Sequence, residues 1–262
     1  MTFNWQNPYP TTRIPLFARN VVSTSHPIAA QAGLNMLLAG GSAVDAAIAA
    51  AAMLTVVEPV SNGLGSDAFA IVWDGQQLHG LNASGPAPET WNLEHFRKQY
   101  GEDGKGHAKR PVRGWDSVTI PGAVAGWAAL HERFGKLPFA DLLEPAARVS
   151  ERGVTLAPTV AHKWAGGVPV LNTQPGFAEV FMPGGRAPRT GEKFVFKDAA
   201  RTLRLLGQQG GRAFYEGQIA EAIVGFSKQT GGSLTLDDLA RYRPEWVAPI
   251  AKAYRGYDVH EI

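Results

Sequence analysis

The stretch from Asn20 to Pro88 contains no lysine or arginine, and its only acidic residues are Asp45, Glu58, Asp67 and Asp74. Charged side chains are almost never fully buried without a partner, so a stretch this poor in charge is suited to a protein interior. We therefore predict that this part of the chain lies mostly inside. With 45% hydrophobic and 18% charged residues, the 262-residue chain is expected to fold around a substantial core.

Two helices are predicted within this stretch. Pro27 suits a first helical turn, because its missing N–H would have no partner there, and Gly40-Gly41 supply the stop. Ser42 and Asp45 form a capping box at the start of a second helix, which runs through four consecutive alanines to Val57. Because this second helix is apolar on every side, we expect it to lie between other layers with close backbone approach.

Turn signals and alternation predict the strands. Asp74-Gly75 is a two-residue hairpin signal between Ala68–Trp73 and Gln76–Ala83. Ser117–Ile120 is predicted as a further short strand, and Ala251–Ile262 alternates as a single strand. Three late helices are predicted at Asp198–Gln209, Gly217–Thr230 and Leu236–Tyr242, the last of them capped by Thr235.

Composition excludes several classes of protein. A net charge of +2 is too small to hold a polyanion, so nucleic acid is not an expected partner. The absence of cysteine excludes disulfides and thiolate chemistry. Met1–Pro10 has no basic start followed by an apolar run, and Ala46–Val57 is shorter than the roughly 20 residues that cross a bilayer. We expect a cytoplasmic protein without a membrane segment, with residues 1–262 in one domain.

No motif in the chain assembles a cofactor or metal site. Gly63–Ala68 fits the spacing of a dinucleotide fingerprint, but the predicted helix precedes it and the strand follows, which reverses the required order. His131-Glu132 lacks the second histidine of a zinc helix. The basic cluster Lys105–Arg113 is interrupted by glycines and favours a solvated loop, while His26 and His79 lie in apolar stretches typical of structural histidines. We predict no cofactor, no metal and no catalytic constellation.

Several collinear blocks carry a family resemblance. From Asn20 onward the chain resembles the large subunit of γ-glutamyltranspeptidase-like enzymes. The matching blocks are Val21–Ala29, Gln31–Leu34, Gly40–Ala47, Val57–Pro59, Val118–Gly126, Phe134–Ala146, Ala213–Gly217, Gly231–Tyr242 and Tyr254–Tyr257.

The resemblance implies an α+β fold, the four-layer αββα sandwich of N-terminal nucleophile (Ntn) hydrolases. Such enzymes are made as a proenzyme that cuts itself and exposes a threonine at the start of its small subunit. That threonine serves as nucleophile, and its own α-amine serves as the general base. No Thr-Thr-His segment of the family's kind occurs here, so no catalytic residue is expected in this chain. We interpret the chain as the front part of a large subunit whose partner is the small subunit, with a homodimer of such heterodimers as a further expectation.

One departure from the family pattern bears on the substrate. In γ-glutamyl enzymes an arginine in the matching stretch binds the substrate α-carboxylate, whereas Asn82–Pro88 places Ser84 at that position. Hydrogen bonds to a charged group contribute about 1.5–3 kcal/mol, which a serine does not replace. The departure favours an amide hydrolase for a small carboxylate-bearing substrate such as oxamate over one for glutathione. We predict Ser84 and Arg113 as substrate-binding residues. Arg113 is the nearest other cation that could reach the substrate carboxylate, and the alternative interpretation is an arginine of a surface loop.

Three other functions stay open from the sequence. The chain could belong to a γ-glutamyl hydrolase or transferase that binds the carboxylate elsewhere, or to an acylase for glutaryl-type side chains. A catalytically silent scaffold is the non-enzymatic alternative.

Overall fold

The computed structural model describes residues 15–262, so Met1–Pro10, for which no secretory signal was predicted, lie outside the described residues. The helices are α1 (Pro27–Leu38), α2 (Ala43–Val57), α3 (Leu93–Tyr100), α4 (Ala123–Phe134), α5 (Phe139–Arg152), α6 (Pro158–Leu171), α7 (Phe177–Phe181), α8 (Lys197–Gln209), α9 (Gln218–Gln229) and α10 (Leu236–Arg241). The strands are β1 (Ala68–Trp73), β2 (Leu78–Ala83), β3 (Val154–Thr155), β4 (Lys193–Phe194), β5 (Glu245–Val247), β6 (Ile250–Tyr254) and β7 (Tyr257–Glu261).

Residue contacts divide the chain into two compact units. The first unit comprises residues 15–63 and Lys136–Arg204, and the second comprises Leu64–Gly135 and Leu205–Ile262. The prediction of a single domain concerns the whole chain and stays a prediction.

The helices α1 and α2 of the first unit begin where the sequence predicts. His26 caps α1, with its Nδ1 accepting a hydrogen bond from the Ile28 N–H, and Pro27 occupies the first turn. At the start of α2, the Ser42 hydroxyl accepts from the Asp45 N–H and the Asp45 carboxylate accepts from the Ser42 N–H. Both capping arrangements satisfy amide groups that have no partner inside a helix.

The alanine-rich helix α2 is enclosed as predicted. It packs against α1 and α5, and 11 of its 15 residues are buried. A Cβ added at Gly33 of α1 would lie only 2.7 Å from the carbonyl oxygen of Ala46. Small residues thus let the backbones of α1 and α2 approach closely, so the two helices pack densely without large side chains between them.

The second unit contains an antiparallel sheet in the order β1-β2-β5. β1 and β2 form the predicted hairpin, but their connection is four residues long rather than two, because the Asp74 carboxylate accepts hydrogen bonds from both the Gln76 and Gln77 N–H groups. Helix α4 packs on β1 and β2, with Gly126 facing Ala83. This sheet and helix hold the segment that follows β2, where Ser84 lies.

Two strand predictions are wrong. Ala251–Ile262 forms not one strand but the hairpin β6–β7, which turns at Arg255 and Gly256, both with positive φ (51° and 83°). Positive φ at both central residues is the geometry of a tight hairpin turn, and alternation alone does not reveal it. Ser117–Ile120 is not a strand either, since Trp115–Ser117 is a short 3-10 helix and the Ile120 N–H donates to the Pro86 carbonyl outside any strand ladder.

Among residues 15–262, no helix is both long and apolar enough to cross a membrane. Within the same residues, no group of three histidine, aspartate or glutamate side chains is arranged to hold a metal ion.

Candidate active site

A cavity of about 670 Å³ in the second unit contains Ser84 in its wall. Two segments form most of this wall: residues 82–89, which follow β2, and residues 238–245, which run from α10 into β5. Ile120 completes it. We call this space the Ser84 cavity. β2 and β5 are neighbours in the sheet, with Asn82 opposite Glu245, so the sheet brings the two segments together.

Asp238 fastens the first segment to the second. One carboxylate oxygen accepts the Glu89 N–H at 3.0 Å, and the other accepts the N–H and the hydroxyl of Thr235 at 2.9 and 2.7 Å. Burial pushes the pKa of Asp238 up, but the hydrogen bonds from Thr235 and Glu89 outweigh burial and hold that pKa below its usual range. The ionised carboxylate thereby fixes the shape of the cavity wall.

Two buried tyrosines with rings 5.5 Å apart differ in how their hydroxyls are satisfied. The Tyr215 hydroxyl donates to the Pro121 carbonyl at 2.8 Å and accepts from the Ala125 N–H at 3.0 Å, so it secures the start of α4. The Tyr242 hydroxyl is buried at the cavity wall and makes no hydrogen bond of normal geometry among residues 15–262, although the Gly85 N–H acts on it and opposes the rise of its pKa. Burial, helped by the charge of Glu245, raises the pKa of Tyr242 to about 12, and burial likewise raises the pKa of Tyr215.

This difference predicts unequal effects of removing the two hydroxyls. Tyr215→Phe is expected to lower the free energy of unfolding by about 1–3 kcal/mol, because it leaves a buried carbonyl and a buried amide unpaired. Tyr242→Phe should change that free energy by less than about 1 kcal/mol, since the hydroxyl it removes makes no hydrogen bond of normal geometry. Urea unfolding followed by tryptophan fluorescence measures both variants. A loss of stability in Tyr242→Phe equal to that in Tyr215→Phe would contradict the difference in hydrogen bonding.

The structure places the two predicted substrate-binding residues differently. Ser84 lies in the cavity wall, where its N–H donates to the Asn82 side chain at 2.9 Å. Arg113 does not line the cavity; its side chain is exposed and donates to the Val112 carbonyl at 2.7 Å. The role of either residue in binding stays a prediction.

The apolar-stretch histidines are hydrogen-bonded, as predicted for structural residues. His79 contacts the Asp74 carboxylate through Nε2 at 2.7 Å and the Arg133 guanidinium through Nδ1 at 2.8 Å. His26 serves as the cap of α1. Both ring nitrogens of His79 are therefore engaged, and neither is left for proton transfer.

Sequence reasoning missed most of the cavity wall. Asp238, Arg241, Tyr242 and Arg243 approach Ser84 only through the fold, and the chain separation between Glu89 and Asp238 is 149 residues. The sequence signal that existed was local: Thr235 was predicted as the cap of the last helix, and in the structure it forms a capping box with Asp238 at the start of α10. A capping box gives no information about what else the carboxylate contacts.

Comparison with known proteins agrees with this architecture. The γ-glutamyltranspeptidase family model matches residues 29–262. A glutathione hydrolase-like proenzyme of Bacillus subtilis is 35% identical over 246 residues, which cover 93% of this chain and 45% of the relative. An oxamate amidohydrolase proenzyme of Klebsiella pneumoniae is 35% identical over 233 residues, or 86% of this chain and 42% of the relative.

A solved structure matches still more of the chain. The crystal structure of a cephalosporin acylase from Bacillus halodurans superposes with a TM-score of 0.91 and 46% sequence identity, covering 99% of this chain and 49% of that one. The chain thus spans about half the length of the relatives it matches. The predicted α+β fold of Ntn hydrolases is confirmed by these matches, and the chain belongs to the γ-glutamyltranspeptidase family.

Proposed function

We propose that this chain is the large-chain part of a self-processing amide hydrolase whose threonine nucleophile lies on a small subunit cut from the same proenzyme. The observation that carries this proposal is a set of exposed apolar side chains on two separate sheets of the second unit, β1-β2-β5 and β6-β7. On β1, the alternate residues Phe69, Ile71 and Trp73 are 55%, 41% and 61% exposed. On the β6–β7 hairpin, Ile250 and Tyr257 are 70% and 78% exposed.

Exposed apolar side chains of this kind are suited to a protein partner. Alternation normally places the apolar side chains of an antiparallel strand on its covered face, whereas β1 exposes its largest ones. A small subunit packed over β1 and β6–β7 would remove these side chains from water, which contributes about 25 cal/mol per Å² of apolar area. Two of the relatives are proenzymes of which this chain spans less than half, which supports the same proposal.

The proposed reaction follows from the threonine chemistry of the family. The threonine hydroxyl attacks the amide carbonyl, and its α-amine accepts the hydroxyl proton. The threonine α-amine then passes that proton to the nitrogen of the substrate amide. The C–N bond breaks, the substrate amine leaves, and the acyl group remains bound to the threonine as an ester. Water then attacks the ester and releases the carboxylic acid. This chain contributes the Ser84 cavity as one wall of the acyl pocket.

The substrate class is proposed from Ser84. A short neutral side chain stands in the cavity wall where the family resemblance implies an arginine. The proposed substrate is therefore a small amide with one carboxylate, of which oxamate is the simplest example. The similarity to an oxamate amidohydrolase proenzyme supports this choice.

A glutaryl-type acylase is the second candidate. The cephalosporin acylase structure shares 46% identity with this chain, more than the 35% shared with the oxamate amidohydrolase. A serine in place of an arginine also leaves room for a longer acyl chain. The two candidates differ in acyl length and can be separated by kinetics.

The test uses the full-length gene product that contains this chain. We expect mass spectrometry to find two polypeptides, the smaller one beginning with threonine, and we expect ammonia release from oxamate to exceed turnover of glutaryl and γ-glutamyl anilides. Fastest turnover of the glutaryl anilide would establish the acylase instead, and fastest turnover of the γ-glutamyl anilide would refute the substrate argument from Ser84. A single uncut polypeptide without turnover would refute the proposal and favour the catalytically silent scaffold.

A further inference from the structure

We propose that Arg243 is the residue that binds the substrate carboxylate in the Ser84 cavity. This inference rests on the proposed function, in which that cavity is a wall of the acyl pocket. Arg243 would thus have the role that the sequence analysis predicted for Arg113.

The cavity wall contains two arginines, and only one of them is paired with a carboxylate. Arg241 forms an ion pair with Glu89 and also donates to the Asp237 carbonyl. Among residues 15–262, no ion pair to Arg243 occurs. Arg243 is therefore the cation of the wall that an anionic ligand could engage without breaking an ion pair.

The Arg243 side chain is held in place at the end of α10. One of its terminal nitrogens donates to the Ala240 carbonyl at 2.7 Å and to the Tyr242 carbonyl at 2.6 Å. A guanidinium has five N–H donors, so Nε and the other terminal nitrogen keep their hydrogens for a ligand. These two groups form the edge that binds a carboxylate through two parallel hydrogen bonds. Because one terminal nitrogen is already fixed by two carbonyls, the Arg243 side chain loses less conformational entropy when it binds a ligand.

The acidic groups of the wall limit which anion fits. Asp238 is occupied by its three donors and Glu89 by Arg241, whereas Glu245 lines the cavity without an ion pair among the described residues. A second carboxylate on the ligand would be repelled by Glu245, while an amide N–H₂ could donate to it. The wall is thus suited to a monocarboxylate amide and disfavours dicarboxylates.

The experiment measures ammonia release by the full-length protein from oxamate and from ethyl oxamate, its neutral ester. In Arg243→Met we expect KM for oxamate to rise by about 10- to 100-fold, as the loss of charged hydrogen bonds implies. Turnover of ethyl oxamate should be unchanged, because the ester carries no charge for Arg243 to bind. Arg243→Lys should lie between wild type and Arg243→Met.

Two matched variants separate this role from a general loss of charge or structure. Arg97→Met removes an exposed arginine of α3 that pairs with Glu102 and does not line the cavity, and it should leave KM for oxamate unchanged. Arg113→Met tests the residue named from sequence. A rise in KM confined to Arg113→Met would overturn the assignment, as would equal losses on oxamate and its ester in Arg243→Met.

Failure of the proposed function can be distinguished from failure of this inference. If the full-length protein releases no ammonia from any amide, the proposed function fails, and calorimetric titration with oxamate then tests Arg243 directly. Binding to wild type that is lost in Arg243→Met would support the assignment. Equal binding by both proteins, or no binding by wild type, would overturn it.

Discussion

Replacing Gly85 with alanine is expected to prevent the second unit from folding. Gly85 has a φ of +74°, a left-handed conformation that strains any residue with a Cβ by roughly 1–2 kcal/mol. An added Cβ would also lie 1.8 Å from the carbonyl oxygen of Ile120, which is backbone and cannot rotate away. Since the Ile120 N–H bonds to the Pro86 carbonyl at 2.9 Å, relieving the clash would separate the two segments. We expect destabilisation above about 4 kcal/mol.

Gly65→Ala is the matched control for this prediction. Gly65 lies in the loop before β1, has no positive φ, and no heavy atom lies within 4 Å of the position that its Cβ would occupy. Alanine there reduces the freedom of the unfolded chain and should change stability by less than about 1 kcal/mol. The yield of folded protein and its urea midpoint measure both variants. Normal folding of Gly85→Ala would show that the Ser84 segment does not pack on Ile120 as described.

Helix ends were the features that sequence reasoning located best. The Pro27 start of α1, the capping box of α2 and the Thr235 cap of α10 depend on residues within one turn of each other. Their hydrogen bonds are short-range, so the residue types at fixed spacing carry the information. The same holds for the enclosed position of α2, because a helix without a polar face has no side to present to water.

Elements that depend on contacts between residues far apart in sequence were predicted less well. Helix α6 was not predicted, because Gly166, Gly167 and Pro169 are poor helix formers and tertiary contacts override that preference. The buried Trp164 of α6 packs on Phe181 and Phe194, which are distant in sequence. The β6–β7 hairpin was taken for one strand because all ten of its strand residues are exposed, so no buried face indicates where the chain reverses.

The candidate site shows the same limit. Ser84 was found through family resemblance, since a lone serine after a strand carries no signal of its own. Arg243 follows a tyrosine and precedes a proline, in a segment whose sequence gives no indication of a cavity. Only the pairing of β2 with β5 brings both residues to one wall. Charge pairing on that wall, rather than the number of basic residues nearby, is what distinguishes Arg243 from Arg241.

Replacing Asp45 with alanine is the second change with a large expected effect, and it acts on the first unit. The Asp45 carboxylate is fully buried and accepts hydrogen bonds from the N–H groups of Ser42, Lys136 and Leu137, at 2.8 to 3.2 Å. Those bonds cap α2 and fasten to it the segment that leads into α5. Alanine would remove the acceptor that these three amides share and leave a small void, so we expect the free energy of unfolding to fall by about 3–5 kcal/mol.

Two variants sharpen the interpretation of Asp45→Ala. Asp45→Asn keeps the shape, and its amide oxygen can take the position of Oδ2, which accepts from the N–H groups of Ser42, Lys136 and Leu137. Its N–H₂ would then face the Lys136 N–H, where Oδ1 accepts at 3.2 Å, so it should recover only part of the lost stability. Asp141→Ala removes an exposed carboxylate from the first turn of α5 and should change stability by less than about 1 kcal/mol, the usual effect of a charge near a helix start. Urea unfolding of the three variants ranks their free energies of unfolding. If Asp45→Asn matched wild type, the acceptor at the Oδ2 position would be enough to hold α2 to the Lys136 segment, and if Asp45→Ala matched wild type, the hydrogen bonds to Asp45 would not hold it at all.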